Sequence, residues 1–179
     1  MMIRIFAFLV FSLAAEVVSA QKVSLNLARE TYFGMSADEC NGLKLSNDFG
    51  ENPPKDALLL AYYGAATAAA PACLGNPAKK ISYFRRGKQA ITEATLLQPQ
   101  NFEIRFLRFA TQSKTPSFLG YNQDIENDKR FLLANLKKGR ETVSNDRIFN
   151  KMTDFIAKSG QLTKNELEIL KRENRISEN

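Results

Sequence analysis

Phe102, Phe106 and Phe109 recur at i, i+4 and i+7, and proline closes the stretch on both sides, Pro99 before it and Pro116 after it. On an α-helix that spacing stacks the three rings along one face, whereas a strand would divide them between its two faces. A helix over about 100–114 is therefore expected, and the rest of the chain repeats the pattern. Val23, Leu25 and Leu27 start a helical run to about Phe33, and Leu58, Leu59, Tyr62, Tyr63 and Ala66 mark a helix over 55–70 that Pro71 ends. Asn76 and Pro77 supply a cap and a first helical residue for a helix to Gln98. Further helices are expected over 122–138, where Ile125, Lys129, Leu132 and Leu136 share a line and Gly139 follows as a left-handed cap, and over 146–158, followed by Gly160. A last helix starts at Thr163, which forms a capping box with Glu166 while Leu162 and Leu167 make a hydrophobic staple. Residues 41–54 (NGLKLSNDFGENPP) are rich in turn formers and read as a loop.

No strand pattern competes with these runs, and their short connections favour antiparallel neighbours. The expected fold is all-α: a single domain of six to seven antiparallel helices over residues 21–173, with a polar C-terminal tail at 174–179.

Residues 1–20 (MMIRIFAFLVFSLAAEVVSA) have the form of a cleavable signal peptide. Arg4 gives the charged start, Ile5 to Ala15 an apolar stretch too short to span a bilayer, and Val18-Ser19-Ala20 the small residues of a cleavage site. Cleavage after Ala20 leaves about 159 residues, the size of one domain. The expected location is outside the cytoplasm, periplasmic or extracellular. No Asn-X-Ser/Thr acceptor occurs in the chain, which fits a bacterial envelope. In such a compartment the two cysteines, Cys40 and Cys73, are expected to pair. The closed loop of roughly thirty residues contributes about 3–4 kcal/mol in the chain-entropy account.

The chain contains no histidine, which removes Ser-His, Cys-His and His-metal arrangements. No metal ligand set and no cofactor motif stands out. The formal net charge is +6, and it is unchanged by loss of the leader because Arg4 and Glu16 cancel. A positive surface favours anionic partners such as lipid head groups, acidic polysaccharide or nucleic acid, though a balance of this size also serves solubility.

From Leu58 to Leu136 the chain resembles degenerate tetratricopeptide-type hairpins. Gly87 and Ala94 are small where that repeat brings its second helix onto its first, and Pro99 follows Ala94 by five residues, as the repeat's closing proline does. The chain departs from the family in its longer Pro71–Asn76 connection, in having no tryptophan, and in lacking a clean 34-residue period. The resemblance implies a right-handed hairpin stack that presents one face for recognition. The runs NFEIRFLRF (Asn101–Phe109) and PSFLGYNQDIENDK (Pro116–Lys129) are similar to small exported bacterial proteins of uncharacterised family, a likeness that brings no catalytic residue with it.

Four groups of residues are candidates for function. Arg105 and Arg108, at i, i+3, face Asp124 and Asp128, at i, i+4, across an expected hairpin. They form either a salt-bridge network or an arginine pair that receives a partner's carboxylate or phosphate. Tyr62, Tyr63, Tyr121 and Phe118 either line a concave groove or belong to the core. Lys79, Lys80, Arg85, Arg86 and Lys88, with Tyr83 and Phe84 among them, make one helix basic, as a solvated face or a polyanion contact. Glu93 with Glu103, or Glu126 with Asp128, are candidates for a glycosidase-type carboxylate pair or are ordinary surface carboxylates. The expected function is non-catalytic: an envelope protein that binds another protein or peptide in the groove. The alternatives are electrostatic binding of an anionic polymer or membrane surface, and a histidine-free carboxylate hydrolase of cell-wall or glycan material.

Overall fold

A computed structural model describes residues 23–34 and 40–176, so the leader, residues 1–20, lies outside the described residues. Among them are nine α-helices and no strand: α1 (Leu25–Phe33), α2 (Asn41–Phe49), α3 (Ala57–Ala69), α4 (Pro77–Leu97), α5 (Phe102–Lys114), α6 (Ile125–Ala134), α7 (Leu136–Val143), α8 (Asp146–Lys158) and α9 (Lys164–Ile176). Two short 3₁₀ turns, Ala70–Cys73 and Ser117–Leu119, follow α3 and α5. No helix among the described residues is long and apolar enough to cross a membrane.

Local chemistry sets most of the starts. Asp56, Asn76, Asn101 and Asn145 each accept a hydrogen bond from a backbone N–H in the first turn of α3, α4, α5 and α8, at 2.9–3.2 Å. At α9 the Thr163 N–H and hydroxyl both donate to Glu166, at 2.8 and 2.9 Å, and Thr163 accepts from the Glu166 N–H in return.

Three expectations are corrected. The turn-rich segment 41–54 holds a helix, α2, because tertiary contacts override its composition. Cys40 at its start is bonded to Cys73, with the Cα atoms 5.7 Å apart. Gly42 lies against the α3 backbone at Ala66 and Ala69, Leu45 is fully buried, and the hydroxyls of Ser46 and Thr67 bond at 2.8 Å. The single helix expected over 122–138 is two, broken at Asn135, whose side-chain amide donates to the Phe131 carbonyl at 2.8 Å. Gly139 is then no cap but lies inside α7, where a Cβ would come within 2.5 Å of the Phe102 ring. The last helix continues through Ile176 rather than giving way to a tail at 174.

The core runs through α3, α5 and α8. Phe106 stacks on Phe33 and meets Phe155 edge-on, while Phe102 meets Phe149, each pair at 5.7 Å between ring centres. Phe106, Phe109, Phe149, Ile148 and Met152 are fully enclosed. α3 and α4 form the tightest pair. A Cβ on Gly87 would stand 2.4 Å from the Ala68 nitrogen and 2.5 Å from the Gly64 carbonyl oxygen, so the two backbones touch where only glycine fits. The buried arc of α4, from Phe84 through Gly87, Ala90, Ile91 and Ala94 to Thr95, rests on its neighbours, and the opposite arc faces outward.

Candidate functional site

Three constellations compete for a functional role, and their geometry separates them. The first is the arginine pair of α5. Arg108 donates to Asp128 through Nε at 2.7 Å and Nη2 at 2.8 Å, and its other nitrogen lies 3.6 Å from Asp124. Arg105 donates to the same Asp128 carboxylate, to the Asn127 carbonyl at 3.1 Å and to the Pro99 carbonyl at 3.2 Å, with its guanidinium 4.4 Å over the Phe131 ring. Asp128 is completely buried. Burial opposes the Arg108 charge, but the hydrogen bonds and field of Asp128 outweigh it and hold the group above its ordinary pKa. Gln112 and Asp124 tie α5 to the start of α6 through two reciprocal hydrogen bonds, at 3.3 and 3.2 Å. Asp128 thus fastens α6 to α5, and its arginines are already engaged. This is the network alternative, and it leaves neither guanidinium open to receive a partner's carboxylate.

The second constellation was not read from the sequence. Glu103, buried at the start of α5, accepts from Arg29 at 2.8 and 2.5 Å and from the Tyr62 hydroxyl. Burial and the Glu103 charge both push the Tyr62 hydroxyl pKa far up, so it stays protonated and donates. The cluster joins α1, α3 and α5 across 74 residues of sequence, beyond any local spacing rule. A carboxylate, Glu103, within the Phe-rich first turn of α5 and an arginine, Arg29, among the apolar positions of α1 were the signals present.

These positions correct the groove expectation. Tyr62 and Tyr63 are core, at 0% and 1% exposure, and Tyr121 is buried between Phe84, 5.9 Å away edge-on, and Lys88, whose ammonium lies 5.0 Å from its ring centre. They face no groove because the alanines of α3 let the neighbouring helices close over them. The carboxylate pairs fare similarly. Glu103 and Asp128 are buried and bound to arginine, while Glu93 and Glu126 are exposed, so neither pair faces a common cleft.

The third constellation is the outward arc of α4. Lys79, Lys80, Arg85 and Arg86 are exposed and Lys88 half-buried, and none of the five forms an ion pair among the described residues. Arg86 lies 4.4 Å over the Tyr83 ring, and Lys88 covers Tyr121. Between Asp56 and Glu93 the chain has no acidic residue. Arg85, Lys88, Gln89, Thr92, Glu93 and Leu96 line a shallow, open depression of about 360 Å³ along this arc.

No family model, curated protein or solved structure matches the chain. Of the three constellations, two are internal fastenings with their charges balanced. The α4 arc is the one whose charge is not balanced among the described residues.

Proposed function

We propose that this chain is an exported, non-catalytic helical protein that binds polyanionic ligands electrostatically through the outward arc of α4. The observation that carries the reading is the contrast in pairing: among the described residues Lys79, Lys80, Arg85, Arg86 and Lys88 have no acidic partner, while the arginines of α5 are bound to Asp128. A patch of one sign on a rigid helix raises the local concentration of opposite charge. The Cys40–Cys73 bond supports export, since such bonds persist in oxidising compartments.

The test is a salt series on the chain from Gln21, which keeps every described residue. Binding to a soluble polyanion such as heparin is expected to weaken steeply between low and high salt as counter-ions screen the patch. A variant with Lys79, Lys80, Arg85, Arg86 and Lys88 all changed to Gln is expected to lose binding and keep its fold. Binding that ignores both salt and the five substitutions would sink the proposal.

A further inference from the structure

The exposed apolar side chains gather where the unpaired charges are. Among the described residues the exposed large hydrophobics are Leu27, Ile81, Leu96, Leu97 and Phe118, and all but Leu27 lie on α4 or on the turn after α5. Phe118 is 84% exposed. It stands on the 3₁₀ turn Ser117–Leu119, bracketed by Pro116 and by Gly120 in the left-handed conformation (φ 59°). Proline fixes φ, and glycine takes the positive φ without strain, so the turn presents the ring on a short, defined loop.

Tyr121 fixes where that loop lies. Its ring touches Phe84 and Lys88 on α4. Phe118 is three residues away, so its Cα is within about 11 Å of that of Tyr121. At 100° per residue, Lys80, Phe84, Lys88, Ile81 and Arg85 follow one another around the same side of α4. The loop itself, Thr115 to Gln123, has no charged residue, and the nearest acidic residue on α4 is Glu93, more than one turn beyond Lys88. The apolar tip is therefore flanked by Lys80, Arg85 and Lys88, which outnumber the nearby carboxylates, Glu93 on α4 and Asp124 just after the loop.

We infer that the polyanion is the surface of an anionic phospholipid bilayer, with Phe118 and Ile81 inserted at the head-group boundary and Lys80, Arg85 and Lys88 against the head-group phosphates. The inference rests on the α4 reading above. A soluble polymer would use the charges and leave Phe118 in water, whereas a bilayer uses both. Aromatic rings favour the interface between water and acyl chain, and the stems of Lys and Arg lie along apolar surface while their charges stay in water.

The chain has no tryptophan, so a Phe118→Trp variant carries a single reporter at the proposed point of insertion. The chain from Gln21 with this substitution is mixed with vesicles of phosphatidylcholine alone and of phosphatidylcholine with phosphatidylglycerol. The expected result is co-sedimentation with the anionic vesicles only, and a blue shift of emission with them only. Phe118→Ser is expected to lower vesicle affinity about tenfold while leaving heparin binding intact. Lys80→Gln with Arg85→Gln is expected to lower vesicle affinity roughly thirtyfold. Heparin binding with no vesicle binding, or vesicle binding with unshifted emission, overturns the bilayer inference and leaves the α4 proposal standing. Absence of binding to either ligand overturns both. Because Phe118 packs on little, thermal unfolding of each variant is expected to match the parent, which keeps a null result decisive.

Discussion

α4 and α5 are consecutive helices with opposite uses for arginine. On α5, Arg105 and Arg108 close on the buried Asp128 carboxylate, and with Asp124 3.6 Å from Arg108 two carboxylates balance the two guanidinium groups. On α4, Arg85 and Arg86 face outward and meet no carboxylate among the described residues. α5 is held to α6 by charge, and α4 is held to α3 by contact between Gly64 and Gly87, which needs no charge at all. A helix anchored by its backbone leaves its charged side chains free for something outside the molecule. That freedom is what the proposal for α4 uses.

The largest effect that tests this contrast is expected at Asp128. Asp128→Ala leaves two mostly buried guanidinium groups with only the half-exposed Asp124, 3.6 Å from Arg108, as counter-charge. Breaking a buried pair in this way costs about 3–5 kcal/mol. For a domain of this size that is roughly 10 °C in melting temperature, read by thermal denaturation. A loss below about 1 kcal/mol would mean that solvent or Asp124 compensates, and that the α5 network is as loosely held as a surface pair.

Gly87→Ala is the corresponding strike at α4. Its Cβ meets backbone atoms of Ala68 and Gly64, which cannot rotate away, so α3 and α4 must separate. Overpacking of this kind costs about 1–3 kcal/mol, more than the helix propensity gained from alanine. Urea unfolding measures it. An unchanged or raised midpoint would show that the two helices have slack, and the argument that α4 is anchored by backbone contact would fail.

The two regions also differ in how far the sequence revealed them. The α5–α6 cluster was legible, because Arg105, Arg108, Asp124 and Asp128 sit at helical spacings on consecutive helices, and only the choice between network and open site needed structure. The all-α class and the starts of α3, α4, α5 and α9 followed from local rules, and the Cys40–Cys73 bond from the cysteine count and the expected compartment. α2 did not, because its helix is imposed by Gly42, Leu45 and the disulfide rather than by its own turn-forming residues. Nor did the break at Asn135, or the Arg29–Glu103–Tyr62 cluster, whose partners are far apart in sequence. For Tyr62 and Tyr63 the spacing gave the correct helix face, but spacing does not say whether that face meets solvent or a neighbour. The neighbour wins because α3 is alanine-rich.

Smaller in size is a pH effect at the junction of α6 and α9. The Glu166 carboxylate accepts from Thr163 and lies 3.1 Å from the Lys129 ammonium, which also donates to the Gln161 carbonyl at 3.3 Å. The Thr163 backbone N–H holds Glu166 below its ordinary pKa of 4.5; burial opposes the shift, and the Thr163 hydroxyl and Lys129 add to it. A depressed carboxylate stabilises the fold above its unfolded pKa, and that stabilisation is lost as pH falls through the folded value. Stability is therefore expected to drop on acidification below about pH 4.5. Glu166→Gln is expected to cost about 1 kcal/mol at neutral pH and to remove that part of the acid dependence. Parallel melting curves for parent and variant from pH 6 to pH 3 are the measurement. An unchanged acid slope would place the acid sensitivity elsewhere.

The smallest stability effect bears most directly on function. Arg85→Gln with Arg86→Gln removes two exposed charges that have no acidic partner among the described residues. Surface substitutions away from caps and pairs shift stability by about 0.5 kcal/mol or less. Arg105→Gln with Arg108→Gln, the same chemical change on the next helix, leaves Asp128 buried and unpaired and is expected to cost several kilocalories, near the Asp128→Ala value. The two double variants therefore form a matched pair. If α4 serves an external polyanion, its variant keeps the parent's melting temperature and loses affinity, with a shallower dependence on salt. A stability loss in the α4 variant as large as in the α5 variant would mean that its arginines balance charge inside the fold after all. The contrast between the two helices, and the proposal built on it, would then go together.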